Sequence, residues 1–323
     1  MKLVTYRDRD AQARLGVAVG DAIHACPPGP TLLELLGDET RLRAVAARAE
    51  TDPVDVIAAD AVELLAPIPV PPSIRDFLSF ERHLRTVSGR DPGPDWYRLP
   101  IFYFSNPAGV FGPRDDIPVP PGCSRFDYEL EVAAVVGRPG YNLSPGEAES
   151  HIAGYLVLGD FTARDLQATE MKLMLGPAKG KDTATSYGPW LVTPDELTDR
   201  RSGHTFDLQM TASVNGRPYS EGNLDSMYWS FPELLSYASR GTYVKPGDII
   251  GSGTVGSGCI LELSIEHGPA AYPWLTPGDE VTLEVEALGR LAHRIVTGPQ
   301  LRPLRDGRGA LAPAAVNSVG AAS

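Results

Sequence analysis

The chain has 323 residues, of which 42% are hydrophobic and 22% are charged, so it is long and apolar enough to bury a large core. Its 29 basic and 41 acidic residues give a formal net charge of −12, which argues against a nucleic-acid or anionic-membrane partner because both need a basic surface. The 33 glycines and 30 prolines are dispersed among apolar runs, a pattern typical of many short strands and turns.

Further sequence features bear on the cellular compartment. No apolar run reaches the roughly 18 to 20 residues of a membrane span, and the first residues lack the apolar stretch of a signal peptide. The three cysteines, Cys26, Cys123 and Cys259, are widely spaced and form no CxxC pair. This spacing argues against a disulfide framework and against a thiolate metal site. Together these features predict a cytoplasmic protein.

The first 66 residues are predicted to form a small α+β domain. Two apolar segments, 3–6 and 15–19, flank a polar turn and predict a hairpin. Two further segments, 31–36 and 40–50, have the apolar spacing of helices.

A proline-rich connector at 67–72 separates this unit from the rest of the chain. From residue 73 onward the composition is richer in strand-forming and aromatic residues, which predicts a main domain over 73–303. The tail, 304–323, has little to bury and is expected to be flexible.

The segment 73–87 is predicted to be one amphipathic helix, because its large apolar side chains recur at helical spacing. Asp76 and His83 are seven residues apart and would lie two turns along the same side of that helix. One could bind a metal while the other acts as a base nearby. The alternative is a histidine that is exposed or satisfied by ordinary hydrogen bonds.

Carboxylates alternate along the predicted strand 126–137, where Asp127, Glu129 and Glu131 would share one face as the strand enters the interior. Buried together they would repel one another, and a hard cation such as magnesium, calcium or manganese would compensate. The alternative is a solvated acidic edge. Asp160, at the end of the next apolar strand, is either a further ligand or a helix N-cap.

Two glycine-containing stretches could add to such a site. The stretch 176–190 contains Lys181, but it is not a phosphate-binding P-loop because Asp182 follows that lysine. In the glycine-rich stretch 247–258, backbone N–H groups and Thr254 could contact an anionic substrate, or the stretch is a plain turn.

Two capping boxes predict helices in the main domain: Ser144 with Glu147, and Ser230 with Glu233. The segment 281–296 alternates apolar and polar residues about a turn and predicts a hairpin. The chain is therefore expected to have an α+β fold that is mostly β.

From about residue 73 to residue 300, five ordered segments resemble the fumarylacetoacetate hydrolase superfamily. These are DYELEVAAVVG, GYLVLGDFTARDLQ, GPAKGKDTATSYGPW, VNGRPYSEGNLDSMYWSFPELLSYASRG and KPGDIIGSGTVGSG. The run DFLSFERH from Asp76 to His83, and CILELS with Glu262, look closest to true fumarylacetoacetases. The resemblance implies a mixed β-sheet or β-roll core with a few flanking helices and a small N-terminal domain.

The resemblance also implies a divalent-metal site and a catalytic pair. Magnesium is the expected ion, with manganese or calcium as alternatives, and the ligands would be Asp76, Glu129, Glu131 and Asp160. His83 would activate water, Glu262 would orient His83 and relay the proton, and Lys181 would help to stabilise an oxyanion.

The implied substrate site departs from the family pattern. Thr185 would lie near the metal, and the substrate would contact Leu78, Asn106, Gln167, Met171 and Thr254. Leu78 and Met171 stand where the family has tyrosines, and Asn106 stands where it has an arginine. Each change removes a donor or a charge for a substrate carboxylate, so a smaller or less charged 1,3-diketo acid than fumarylacetoacetate is expected.

The implied activity is metal-dependent hydrolysis of a C–C bond in a 1,3-diketo acid or acylpyruvate through a metal-bound enolate, in aromatic-compound catabolism. The alternatives are a decarboxylase, tautomerase or isomerase that uses the same enolate without water attack, and a non-catalytic protein that a metal stabilises. The partner is expected to be a small keto acid rather than nucleic acid or membrane. The resemblance also implies a homodimer, with the apolar stretch 227–231 as a candidate contact; the alternative is that these residues belong to the core.

Overall fold

The computed structural model describes residues 1–302, which form a mixed α+β fold. The strands are β1 Lys2–Arg7, β2 Ala13–Val19, β3 Ala22–Ala25, β4 Val56–Ala58, β5 Glu63–Leu65, β6 Ile74–Phe77, β7 Phe102–Ser105, β8 Val110–Phe111, β9 Ile117–Pro118, β10 Phe126–Asp127, β11 Leu130–Val136, β12 Gly140–Tyr141, β13 Ile152–Ala163, β14 Ala184–Val192, β15 Arg201–Ser202, β16 Thr205–Phe206, β17 Gln209–Val214, β18 Arg217–Asn223, β19 Tyr243–Val244, β20 Ile249–Gly251, β21 Glu280–Val285 and β22 Gly289–Val296. The α-helices are α1 Leu32–Leu35, α2 Glu39–Thr51, α3 Glu81–Ser88, α4 Pro145–Ala148, α5 Arg164–Glu170, α6 Phe231–Ala238 and α7 Ile260–His267.

A 13-stranded sheet forms the centre of the molecule, in the order β4-β3-β2-β1-β14-β13-β11-β20-β6-β7 with β5, β8 and β10 paired alongside. Strand β1 pairs antiparallel with β14, so the strands of the first 66 residues continue the sheet of the main domain. The sheet is thus continuous between the first 66 residues and the main domain. Whether residues 1–66 fold as a separate domain stays a prediction.

Strand β11 shows that the centre of this sheet is shielded from solvent. All seven of its residues, LEVAAVV, are buried. Val132 and Ala134 belong to one apolar cluster, whereas Ala133 and Val135 belong to another on the opposite face of the strand. Since both faces are covered, a charged side chain on this strand enters an environment without bulk water.

A second sheet, in the order β18-β17-β21-β22-β9, packs beside the first. Leu283 of β21 lies so close to Gly159 of β13 that a Cβ there would be 2.7 Å from the Leu283 Cδ1 atom. Strands β21 and β22 pair antiparallel, which confirms the hairpin predicted over 281–296.

Several other local predictions are confirmed. Strands β1 and β2 form the predicted hairpin, with Leu3 opposite Val17. Helices α1 and α2 lie in the two segments with helical spacing. The predicted capping boxes start α4 and α6, where Ser144 and Ser230 each accept a hydrogen bond from the backbone of the glutamate three residues later.

The predicted single helix over 73–87 is wrong. Residues 74–77 form β6, which pairs parallel with β20 and antiparallel with β7, and the helix α3 begins only at Glu81. All four residues of β6, IRDF, are buried, so this short segment is a strand covered on both faces rather than the first turn of a helix. Asp76 and His83 therefore lie on different elements.

Among residues 1–302, no helix has both the length and the apolar composition that crossing a membrane requires. Cys26, Cys123 and Cys259 are free thiols. The predicted tail, 304–323, lies outside the described residues.

Candidate functional site

Four buried carboxylates meet where the central strands run side by side. Glu131 lies on β11, Asp160 on β13 and Asp76 on β6, while Glu129 lies just before β11. Because β13, β11, β20 and β6 are consecutive in the sheet, strands far apart in sequence deliver these side chains to one place. One oxygen from each carboxylate lies within 4.8 Å of the others. This set is the carboxylate cluster.

Gly251 of β20 makes room for the cluster. It pairs with Ala133 of β11 on one side and with Asp76 of β6 on the other. A Cβ at this position would lie 2.5 Å from Asp76 Oδ1 and 3.3 Å from Glu131 Oε2. Any larger residue would therefore displace a carboxylate.

Two groups from outside the central strands contact the cluster. Lys181 donates from Nζ to Asp160 Oδ2 at 2.5 Å and also to Glu129 Oε2. The Tyr103 hydroxyl of β7 donates to Asp76 Oδ2 at 2.9 Å and lies against Asp160 Oδ2 as well. Each group therefore links two carboxylates that come from different segments of the chain.

Glu131 accepts hydrogen bonds from two residues of the glycine-rich stretch after β20. The Gly253 N–H donates to Glu131 Oε2 at 3.0 Å, and the Thr254 hydroxyl donates to Oε1 at 3.4 Å. The Gly253 amide therefore serves a cluster member, which argues against the predicted contact of this amide with an anionic substrate.

The predicted third carboxylate of the strand, Asp127, lies beside the cluster rather than within it. It accepts from Arg164 Nε at 2.8 Å and from the backbone N–H groups of Ile260 and Leu261 at the start of α7, at 2.8 and 3.0 Å. The same Arg164 places a guanidinium nitrogen 2.7 Å from Glu129 Oε1. Asp127 and Arg164 thus connect the cluster to helix α7.

The proton affinities within the cluster differ strongly. Burial raises the pKa of Asp160 to about 7 even though Lys181 opposes it, and burial also raises the pKa of Asp76. Burial and repulsion from Asp76 raise the pKa of Glu131 well above its ordinary value. Burial acts in the same direction on Glu129, but Lys181 and Arg164 outweigh it and hold the pKa of Glu129 below its usual range.

These features fit a hard divalent cation. Asp76 Oδ1 and Asp160 Oδ1 are buried and have no hydrogen-bond donor within the described residues, so two carboxylate oxygens lack a partner. A set of four carboxylates with no sulfur or nitrogen ligand suits magnesium, manganese or calcium. A cation would also offset the repulsion that raises these pKa values.

A buried histidine–glutamate pair adjoins the cluster. His83 Nδ1 of α3 lies 2.8 Å from Glu262 Oε2 of α7, and Glu262 Oε1 accepts from the Ser257 N–H at 3.0 Å. Cys259 donates from Sγ to Glu262 Oε2 at 3.4 Å and forms a β-bridge with Glu129 of the cluster. Within residues 1–302, Nε2 of His83 has no hydrogen-bond partner.

The remaining predicted residues surround this centre. Thr185 lies opposite Asp160 in the β13–β14 ladder, and Gln167 Oε1 accepts from Arg164 at 3.2 Å. Thr254 contacts Glu131 as described. Asn106 donates to the Asp182 carbonyl at 3.2 Å, Leu78 is half-buried, and Met171 is exposed at the end of α5.

Sequence reasoning missed Tyr103, the role of Arg164 and the role of Gly251. Tyr103 alternates with Phe102 and Phe104 along β7, and strand periodicity in this aromatic run could have indicated that it faces away from its neighbours. The requirement for glycine at 251 depends on the spacing of two strands and has no local signal.

Comparisons with known proteins agree with this architecture. The family described as "Fumarylacetoacetate (FAA) hydrolase C-terminal" matches residues 73–296. The bovine protein "Oxaloacetate tautomerase FAHD2A, mitochondrial" (Bos taurus) is 29% identical over 267 residues, which cover 82% of this chain and 80% of that protein.

Two solved structures share the fold. Fumarylacetoacetate hydrolase from Exiguobacterium antarcticum has a TM-score of 0.71 and 26% identity, covering 92% of this chain and 99% of that one. Maleylpyruvate hydrolase from Sphingobium sp. SYK-6, in complex with manganese(II) and pyruvate, has a TM-score of 0.70 and 23% identity, covering 93% and 100% of the two chains.

Proposed function

Because the chain belongs to the fumarylacetoacetate hydrolase family, we propose that it is a divalent-metal-dependent hydrolase that cleaves a C–C bond in an acylpyruvate or related 1,3-diketo acid. The observation that carries this proposal is the His83–Glu262 pair beside the carboxylate cluster. A hydrolase needs a base for water, whereas enolate chemistry alone does not.

The geometry suits His83 for that role. Glu262 accepts from Nδ1, which leaves Nε2 as the basic nitrogen, and the carboxylate would stabilise the imidazolium that forms when Nε2 takes a proton. Glu262 is itself held by the Ser257 N–H and by Cys259, so the ring has one orientation.

The proposed reaction has two steps. His83 Nε2 takes a proton from water, and the oxygen of that water bonds to the acyl carbonyl carbon. The adjacent C–C bond then breaks, its electron pair passes to the carbon of the pyruvate enolate, and His83 returns the proton to that carbon. A divalent cation held by Asp76, Glu129, Glu131 and Asp160 supplies Lewis acidity that polarises the substrate carbonyls.

His83→Ala tests this role. The variant keeps all four carboxylates, so metal binding measured by calorimetry should persist while C–C cleavage falls by about 10²- to 10⁴-fold, the range for losing a positioned base. Glu262→Gln should cause a smaller loss because the imidazole keeps a hydrogen-bond partner. His267→Ala, on the exposed end of α7, is the matched control and should retain full activity. Near-full hydrolysis by His83→Ala would contradict the assignment.

A second candidate is tautomerase, isomerase or decarboxylase chemistry at the same site, which the similarity to the bovine oxaloacetate tautomerase favours. It needs no water attack, so a decarboxylation would retain most of its rate in His83→Ala. Acylpyruvates and 3-oxo acids supplied with magnesium or manganese separate the two candidates, if hydrolysis and carbon dioxide release are both measured. A non-catalytic role predicts an open site without a histidine, but the cluster is buried and His83 adjoins it.

The cation is proposed to be magnesium, with manganese or calcium as alternatives. The oxygen-only donor set supports all three, and a fold neighbour was solved with manganese(II). A chelator should abolish activity, and magnesium or manganese should restore it. The cytoplasmic location and the part in aromatic-compound catabolism stay predictions.

A homodimer is also proposed, but the candidate contact 227–231 needs correction. Met227 and Phe231 are buried in the core and Ser230 caps α6, so the stretch presents mainly Tyr228 and Trp229 to the surface. Light scattering at micromolar concentration tests the assembly, and a mass near 34.6 kDa would show a monomer.

A further inference from the structure

A second set of metal-ligating side chains lies beside the carboxylate cluster. His83, Cys259 and Glu262 each offer one ligand atom, and these three atoms lie within 4.8 Å of one another. All three residues are buried. Within the described part of the chain, Cys26 and Cys123 belong to no such set. We call His83, Cys259 and Glu262 the mixed-donor group.

The distances within the mixed-donor group suit a tetrahedral ion. Zinc bonds of about 2.0 to 2.3 Å to nitrogen, oxygen and sulfur place neighbouring ligand atoms about 3.3 to 3.6 Å apart. Cys259 Sγ already lies 3.4 Å from Glu262 Oε2. His83 Nδ1 lies 2.8 Å from the same oxygen, across a hydrogen bond. An ion that replaced the bridging hydrogen would therefore need Nδ1 and Oε2 to separate by only about 0.5 Å.

The donor atoms of this group differ from those of the carboxylate cluster. The cluster offers oxygen alone, which suits magnesium, manganese or calcium. The mixed-donor group offers nitrogen, sulfur and oxygen, a combination that favours zinc over the hard ions. The two sets adjoin because Cys259 forms a β-bridge with Glu129 of the cluster. The chain therefore offers ligands for two different kinds of ion side by side.

Zinc at the mixed-donor group would change which nitrogen of His83 carries the hydrogen. Without zinc, Nδ1–H donates to Glu262 and the lone pair on Nε2 can accept a proton. Zinc takes the lone pair of Nδ1, so the neutral imidazole must carry its hydrogen on Nε2. That hydrogen moves from Nδ1 to Nε2 through solvent. Burial raises the pKa of the Cys259 thiol, which releases its proton to solvent as the sulfur–zinc bond forms.

We propose that zinc binds to His83, Cys259 and Glu262 and inhibits hydrolysis by removing the basic nitrogen of His83. The ion at the carboxylate cluster stays in place, so zinc does not compete with it. The binding site follows from the donor geometry alone. The inhibition rests on the proposed function, because it requires His83 to act as the base.

Cobalt(II) is the probe for the binding site, because it adopts the geometries of zinc and absorbs in the near ultraviolet when a thiolate binds to it. The protein is saturated with magnesium, kept reduced with a phosphine and titrated with cobalt(II). The unmodified chain should develop the thiolate band and Cys259→Ser should lose it. Cys123→Ser is the matched control, outside the mixed-donor group, and should keep the band.

His83→Ala gives the same test from another element, in case Cys259→Ser does not fold. It keeps the thiol but removes the nitrogen ligand, so cobalt affinity should fall by about tenfold or more. Absence of the band from the unmodified chain, or its presence in Cys259→Ser, overturns the inference.

Zinc titration of acetylpyruvate hydrolysis, in excess magnesium, tests the inhibition. Each variant is compared with its own rate without zinc. Half-inhibition of Cys259→Ser should need about tenfold more zinc, or more, than half-inhibition of the unmodified chain or of Cys123→Ser. Equal zinc sensitivity of Cys259→Ser and the unmodified chain, or inhibition that added magnesium abolishes, would place zinc at the carboxylate cluster and overturn the inference.

The two readouts separate this inference from the proposed function. If magnesium supports no cleavage but the cobalt band appears and depends on Cys259, the proposed function fails and the binding site stands. If cleavage occurs and the band depends on Cys259, but zinc does not inhibit, the inhibitory role is overturned.

Discussion

The carboxylate cluster and the His83–Glu262 pair are built in different ways. The proposed ligands Asp76, Glu131 and Asp160 lie on strands of one sheet, and backbone hydrogen bonds set the distances between those strands. The pair joins two helices, α3 and α7, through one side-chain hydrogen bond between residues far apart in sequence. The cluster is therefore held by the sheet, whereas the pair depends on how two helices pack.

The two regions also differ in charge. The cluster brings four carboxylates against Lys181 and Arg164, so acidic groups outnumber the cations that touch them. The pair matches one imidazole to one carboxylate. A cation would therefore offset the charge of the cluster but not that of the pair, so substitutions should separate metal binding from proton transfer.

Removing a carboxylate from the cluster should have the largest effect. Glu131→Ala deletes a ligand in the centre of the sheet, so metal binding and activity should be lost together. We expect a fall in kcat/KM of about 10³-fold or more, since Lewis-acid stabilisation contributes several kcal/mol. Glu131→Gln, which keeps the side-chain shape, should behave in the same way.

Glu284→Ala on β21 is the matched control because it removes an exposed strand glutamate. It should leave metal binding by calorimetry and the rate unchanged. Retention of a normal metal affinity by Glu131→Ala would contradict the ligand assignment.

Crowding the cluster should have an intermediate effect. In Gly251→Ala, the new methyl group would lie 2.5 Å from Asp76 Oδ1, so the carboxylate must move. We expect metal affinity to fall by roughly 10- to 100-fold, the scale seen when groups that orient ligands are changed. Gly16→Ala is the control, because its methyl group would also lie 2.5 Å from a side-chain atom, Ile23 Cγ2, but in the N-terminal unit. Equal metal affinity in the two variants would show that Gly251 has no special role.

Features that depend on nearby residues could be predicted from the sequence. Alternation along 126–137 indicated that Glu129 and Glu131 share a face, and β11 confirms it for Glu131 because Ala133 and Val135 continue that face into one apolar cluster. Hairpins and capping boxes were predictable because their signals lie within a few residues. Membership of the fumarylacetoacetate hydrolase family was recognisable from ordered segments.

Predictions failed where the structure depends on strand pairing over long separations. Asp76 was placed on a helix because the apolar residues from Phe77 to Val87 recur at helical spacing, although Ile74–Phe77 form a short, fully buried strand. Tyr103, on β7, contacts Asp76 and Asp160 only because β7 pairs with β6. Such contacts follow from the order of strands in the sheet, which no local pattern encodes.

The smallest effect expected is on the pH dependence of stability, and it sharpens the contrast between the two regions. Burial raises the pKa of Asp160 from 3.8 to about 7 when no metal is bound. Between about pH 4 and about pH 7, the folded chain therefore keeps a proton on Asp160 that the unfolded chain has released. The free energy of unfolding should therefore fall as pH rises from about 4 to about 7, and Asp76 and Glu131 shift in the same direction.

His293 acts with the opposite sign, because burial lowers its pKa and its contribution to stability is lost as pH falls below about 6.5. Asp160→Asn isolates the carboxyl, since the amide cannot titrate. Calorimetry in the presence of a chelator measures the melting temperature of both chains at about pH 5 and about pH 7. Between these pH values, the melting temperature of the unmodified chain should fall by a few degrees more than that of Asp160→Asn. Magnesium, which binds the deprotonated carboxylates, should reverse that difference. Parallel pH profiles for the two chains in chelator would show that Asp160 does not hold a proton when the metal is removed.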